Sequence, residues 1–198
     1  MARARPFESY SVTTGLALVL LLVWLVVSVL ASGAGKSVPT YLESQGAAGR
    51  ILIFLFGPLI HQGVDLLLGN LLFLLAIGPF VESRVGWRQY LLFIALAGYA
   101  LTVLAYLLGM ATVGISGVTH ALTGREAGAR LGDLSGAIGT SPVETLVVAL
   151  VFIYQISQLP AGGSIVAHAG GLVLGFLIAV GVATDYLEQN WLEERIQW

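Results

Sequence analysis

GISGVTHALTG, residues 114–124, flanks Ser116 with Gly114 and Gly117 and follows it one helical turn later with His120. The stretch is polar for its surroundings. Of the 198 residues, 57% are hydrophobic and only 10% charged, with a mean hydropathy of +0.90, outside the composition of an ordinary soluble domain. The chain reads as an integral membrane protein, and a hydroxyl collared by glycines inside it needs either a structural or a chemical reason. The absence of cysteine excludes disulfides, a thiolate nucleophile and a zinc–thiolate site. A net charge of −2 with scattered basic residues speaks against a nucleic-acid partner and against a polybasic lipid-binding patch.

Outward from residue 116, the apolar segments mark candidate spans, each needing about 20 residues in a helix. Val12–Ala31 carries no charge. Arg3 and Arg5 before it and small residues after it also fit a cleaved signal peptide, but the apolar run exceeds the roughly 7–15 residues of such a segment, so a retained helix is expected. Ser32–Arg50 reads as a loop. Ile51–Ile60 is too short to cross and ends in Gly57-Pro58, which suggests an interfacial or re-entrant piece. Gln62–Phe80, Gln89–Leu108, a short polar helix from Ser116 to about Ala127, Val143–Leu159 and Ser164–Ala183 complete six spans.

Charge placement supports that number. With a cytoplasmic N-terminus, Arg3, Arg5, Arg84, Arg88, Arg125, Arg130 and Arg195 fall on the cytoplasmic side, and only Lys36 and Arg50 fall outside, as the positive-inside rule requires. Residues 1–11 then form a cytoplasmic segment, 12–183 the membrane domain and 184–198 a cytoplasmic tail. The helix from Ser116 spans about 18 Å at 1.5 Å per residue, so it must start below the membrane surface. Irregular backbone at that depth needs shielding by protein or a wet cavity. Met110–Ile115 is therefore expected to descend into a cavity and deliver Ser116 at its floor.

Polar side chains within spans are functional candidates because a charge at mid-membrane is costly. They are His61, Asp65, Asn70, Ser116, His120, Glu144 and His168. Taken alone, Ser116 reads as a helix N-cap and His168 as a histidine hydrogen-bonded between helices. Yet both lie at the same end of their spans, and Gly114 and Gly117 allow tight turning and close approach of a substrate backbone. A serine at a helix N-terminus also sits beside unsatisfied N–H donors able to hold an oxyanion. Gly171 and Gly175, following His168, form a GxxxG pair that lets a neighbouring helix come close. Asp65 is expected to be solvated at the cavity rim, and Glu144 exposed at the cytoplasmic start of the fifth span.

Three segments together resemble the rhomboid intramembrane serine proteases. GISGVTHALTG is similar to their G-x-S-G segment opening the fourth helix, and AHAGGLVLG, residues 167–175, to their sixth-helix H-x-x-G-x-x-x-G. HQGVDLLLGNLLFLLAIGPFVESRVG, residues 61–86, resembles their second helix, with a structural histidine at His61, the oxyanion asparagine at Asn70 and the V-E-x-R-x-G exit at Val81–Gly86. The likeness covers roughly Ile51–Ala183. It implies an all-α, six-transmembrane-helix rhomboid-like bundle that cleaves transmembrane protein substrates within the lipid bilayer by a Ser116–His168 dyad. Asn70 and the Ser116 N–H would hold the oxyanion, and no cofactor or metal is implied.

The sequence departs from the family at three places. Leu66 stands where a histidine commonly serves the oxyanion hole. His120 replaces an aromatic residue that stacks on the catalytic histidine, and is expected either to stack on His168 or to compete for the Ser116 hydroxyl. The first loop lacks a Trp-Arg motif. Leu66 keeps alive an alternative from another class, a catalytically weak or inactive rhomboid-like protein that binds transmembrane helices. A transporter would show internal repeats or paired broken helices, and neither is found. GAGKS at 33–37 lacks the first glycine of a phosphate loop, Val118 breaks the nucleophile-elbow pattern, the three histidines lack metal-site spacing, and LGD at 131–133 sits in a charged loop without a partner aspartate.

Overall fold

The computed structural model describes residues 11–108, 113–132, 141–158 and 165–196. All regular structure among them is helical: α1 (Ser11–Gly33), α2 (Val38–Ser44), α3 (Ala47–Phe56) leading into a 3-10 turn (Gly57–Leu59), α4 (Val64–Val85), α5 (Trp87–Leu107), α6 (Ser116–Gly132), α7 (Pro142–Gln158) and α8 (Ile165–Ile196). By length and composition α1, α4 and α5 can cross a membrane, while Ala47–Leu59, Pro142–Ser157 and Ile165–Gly181 are apolar but shorter. Of the segment expected to descend to Ser116, residues 109–112 lie outside the described residues.

Polarity is arranged as a lipid solvent demands. Leu18, Leu22, Leu72, Leu96, Ile153 and Leu177 face outward, whereas Thr13, Asn70, Glu82, Thr123, Glu126 and Gln155 are buried; polar groups at membrane depth are tolerated only when turned inward. The most polar helix, α6, is the most enclosed. Every residue from Gly117 to Gly124 is buried, and α4, α5, α7 and α8 all pack on it, α8 most extensively. Its threonines are satisfied locally, Thr119 donating to the Ser116 carbonyl at 2.8 Å and Thr123 to the Thr119 carbonyl at 2.9 Å.

Small residues set the α6–α8 distance. A Cβ built on Gly171 would overlap the Gly117 carbonyl, one on Gly175 the Ala121 carbonyl, and one on Gly124 the Leu172 carbonyl. In lipid, where apolar side chains gain nothing by leaving the solvent, such close backbone packing is a main source of helix association.

The end of the bundle remote from Ser116 is tied by buried charge. Glu82, near the end of α4, accepts from the first turn of α1: Val12 N–H at 3.0 Å, Thr13 N–H at 2.9 Å and the Thr13 hydroxyl at 2.7 Å. A carboxylate satisfies the orphan N–H groups and complements the dipole of a helix start. The Tyr90 hydroxyl lies 3.0 Å from Thr13 Oγ1, and Gly78 leaves the room that both need. Nearby, Glu126 has no exposed side-chain surface and meets Arg84 at 2.9 Å and Arg130 at 3.4 Å, while Glu144 faces the same two guanidiniums at 3.7 and 3.8 Å.

Several sequence expectations are corrected here. The short polar helix does not end near Ala127 but runs to Gly132, because the arginine cage lets Glu126 stay inside it. Leu131 and Gly132 thus belong to α6 rather than to a loop, and Asp133 lies outside the described residues. Glu144 is not simply exposed; its side chain is half-buried in the ion-pair cluster. The stretch Ser32–Arg50 is not a plain loop, since it contains α2 and the start of α3. Ser37 caps α2 by accepting from the Thr40 N–H at 3.4 Å, and Pro39 stands in its first turn. A helix of 7 residues is too short for apolar periodicity to reveal.

Candidate active site

Ser116 is the first residue of α6, and its approach is fixed by backbone. Gly114 has φ +100, a left-handed conformation that a side chain would strain, and its N–H donates to the Gly57 carbonyl at 2.8 Å. That bond fastens the entry to α6 onto the 3-10 turn. A Cβ at 114 would stand 3.6 Å from Asn70 Nδ2 and from the His61 ring, so the glycine packs directly over this pair.

The His61–Asn70 pair has a defined sense. Asn70 Nδ2 donates to His61 Nε2 at 3.1 Å, and His61 Nδ1–H donates to the Leu59 carbonyl at 3.3 Å. That assignment needs a neutral imidazole protonated on Nδ1. Burial in the turn before α4 agrees, holding His61 below the usual imidazole range despite its bond to Leu59. Among the described residues only one of the two Asn70 amide hydrogens is used, which leaves the other for a further acceptor.

His168 lies in the first turn of α8. Its Nε2 is 3.0 Å from Ser116 Oγ across 52 residues of chain. With the proton on Nδ1, the Ser116 hydroxyl donates to Nε2, and Nδ1 has no partner among the described residues. The ring is oriented by stacking. His120 lies on it with centroids 4.4 Å apart and planes within 2°, and His120 Nδ1–H donates to the Ser116 carbonyl at 2.6 Å. His120 therefore makes contact with the ring of His168 and with the backbone of Ser116, its Nε2 having no partner among the described residues. Gly117 lets the start of α8 close on α6, since a Cβ there would stand 3.2 Å from the Ala167 carbonyl.

Other candidates fall elsewhere. Asp65 is exposed near the start of α4, and Leu66 beside it is 38% exposed and offers no donor. Glu144 is at the remote end. Among the described residues no group of three His, Asp or Glu side chains converges in a way that suits a metal ion. The inventory of polar residues in spans overlooked Glu82, Glu126 and Gln155, all buried. For Gln155 the signal was present: it is a long amide in the middle of the apolar run VVALVFIYQIS, residues 147–157.

Chemically, the arrangement offers a hydroxyl hydrogen-bonded to an imidazole, at a helix N-terminus whose first N–H groups lack intrahelical acceptors. In comparison with known proteins, a family model for the Rhomboid domain matches residues 48–184. The match runs from α3 into α8 and leaves α1 and α2 outside it. No curated protein matches the chain.

Proposed function

The chain belongs to the rhomboid family, and on that premise we propose that it is an intramembrane serine protease whose dyad is Ser116 and His168. The observation that carries this reading is the 3.0 Å contact between Ser116 Oγ and His168 Nε2, with the imidazole held by the stacked His120. A nucleophile and a base in hydrogen-bond reach, with the base oriented by a third group, is the arrangement that activates serine. Here the orienting group is a ring face in place of a carboxylate.

The reaction follows from these groups. Ser116 Oγ attacks the scissile carbonyl while His168 Nε2 takes its proton. The oxyanion is held by the free Asn70 amide hydrogen and the Ser116 N–H. Collapse expels the amine, which receives the proton from His168 and leaves an acyl-enzyme. Water, deprotonated by His168, then releases the acid.

In the bilayer α1, α4, α5, α6, α7 and α8 form the six spans, both termini are cytoplasmic, and the site opens toward the outer side of the cell membrane. The arginine distribution supports this topology: Arg84, Arg125 and Arg130 gather around Glu126 at the end remote from Ser116.

A second reading, a rhomboid-like protein that grips transmembrane helices without cutting them, is favoured by Leu66. Loss of one oxyanion donor costs about 10²–10³ in kcat. Cleavage of a single-span substrate in liposomes, by the chain as given, by Ser116→Ala and by Leu66→His, separates the two. The protease reading expects no cleavage after the first change and at least a roughly tenfold rise after the second. Persistent cleavage by Ser116→Ala refutes the dyad, and folded samples that never cleave favour the binding protein.

A further inference from the structure

Gln155 on α7 is 1% exposed, yet neither Oε1 nor Nε2 has a hydrogen-bond partner among the described residues. A buried amide that leaves both its donor and its acceptor idle is costly, and such groups call for an explanation.

The register of α7 places this amide at the depth of the dyad. Arg130 reaches Glu126 of α6 at 3.4 Å and Thr145 of α7 at 2.9 Å with one guanidinium. From that common point α6 returns ten residues to Ser116 and α7 rises ten residues to Gln155, about 15 Å in each helix. A second contact agrees to within about one helical turn: Tyr154 packs on Phe73 of α4 with ring centroids 5.5 Å apart, and Phe73 is one turn beyond Asn70. The facing is settled by the preceding turns. Val148 and Val151 pack into the core shared with α4 and α6, and Gln155 follows them at positions i+7 and i+4 on the same face.

A protease that cuts inside a transmembrane helix must first unwind it, and the freed peptide N–H and C=O groups then need partners at a depth without bulk water. A side-chain amide matches a peptide group, donor to acceptor and acceptor to donor. The geometry points to Gln155 as a substrate-binding residue that pairs through Nε2 and Oε1 with a main-chain peptide group of the unwound substrate segment. This inference rests on the reading of the site as one that takes transmembrane substrates, and it leaves the Ser116–His168 chemistry untouched.

The test separates chain binding from dyad chemistry. In Ser116→Ala protein reconstituted in liposomes, the Kd for a fluorescent single-span substrate is measured with Gln155 present and with Gln155→Leu. In the otherwise unaltered chain, labelling of Ser116 by a small fluorophosphonate, which has no peptide backbone, is timed for the same pair. We expect Gln155→Leu to weaken substrate binding about tenfold and to leave the labelling rate unchanged. Gln155→Asn, with the same groups on a shorter stem, should restore part of the affinity. Equal Kd values with and without the Gln155→Leu change overturn the inference, as does a parallel fall in binding and labelling, which makes Gln155 a structural support. Wild-type protein that binds substrate but neither labels nor cleaves removes the protease reading alone, and the binding comparison still decides the role of Gln155.

Discussion

If Ser116 and His168 act as proposed, replacing Gly175 by alanine should disable the pair from a distance. Gly175 lies seven residues beyond His168, about 10.5 Å along α8. A Cβ there would overlap the Ala121 carbonyl and stand 2.8 Å from the Arg125 nitrogen, where ordinary van der Waals contact begins at 3.4 Å. Both obstacles are helix backbone and cannot turn aside, so α8 must retreat from α6 by on the order of 1 Å. The 3.0 Å bond from His168 to Ser116 would then approach about 4 Å, beyond hydrogen-bond range. A misplacement of about 1 Å costs about 10²-fold in rate, or roughly 2.7 kcal/mol of barrier. Alanine's better helix propensity, worth about 1 kcal/mol, stabilises the helix without restoring the contact. Gly181→Ala is the control on the same helix, because a Cβ there meets nothing within 4 Å. The rate of fluorophosphonate labelling and kcat/KM for a single-span substrate should both fall about 100-fold in Gly175→Ala and stay at the wild-type level in Gly181→Ala. Folded Gly175→Ala that labels within about threefold of wild type refutes the claim that this approach sets the dyad.

Glu82→Ala strands three donors of α1, the two on Thr13 buried, and should cost about 3 kcal/mol, lowering Tm in detergent by on the order of 10 °C; Glu82→Gln should lose less, and an unchanged Tm for Glu82→Ala contradicts the brace. His120→Ala removes the stacked ring and should slow labelling of Ser116 about two- to tenfold, with His120→Phe recovering most of it; equal rates in the two variants show that stacking does not orient His168. Each glycine placed in a leucine-rich substrate helix near its outer end should raise kcat/KM about fivefold by easing unwinding, and equal cutting of an all-leucine helix shows that unwinding does not limit the reaction.

The juxtaposition of Ser116 and His168 was more legible in the sequence than the packing around it. Gly114, Ser116, His168 and the 171/175 glycine pair stand at spacings whose purpose is readable, because backbone conformation and close approach leave few residue choices. The extent of α6 was not readable, since Arg125, Glu126 and Arg130 look like the edge of a membrane segment until Arg84, 42 residues before Glu126, is seen to neutralise it. Glu82 as the cap of α1 is hidden for the same reason: its partners are 69 and 70 residues away. Gln155 was legible as an anomaly but not as a position, because its level relative to Ser116 depends on how Arg130 joins two helices.

The enclosure of α6 also bears on how the molecule is made. A helix bearing Thr119, His120, Thr123, Arg125 and Glu126 has little reason to stay in lipid by itself. Its shield is complete only once α7 and α8, both later in the chain, have packed on it. His168, which meets Ser116 at 3.0 Å, arrives with α8, so the emerging polypeptide carries a serine with no imidazole of α8 beside it. On the proposed protease reading, ribosomal order works as a built-in safety catch, because cutting of membrane neighbours must wait until α8 has joined α6.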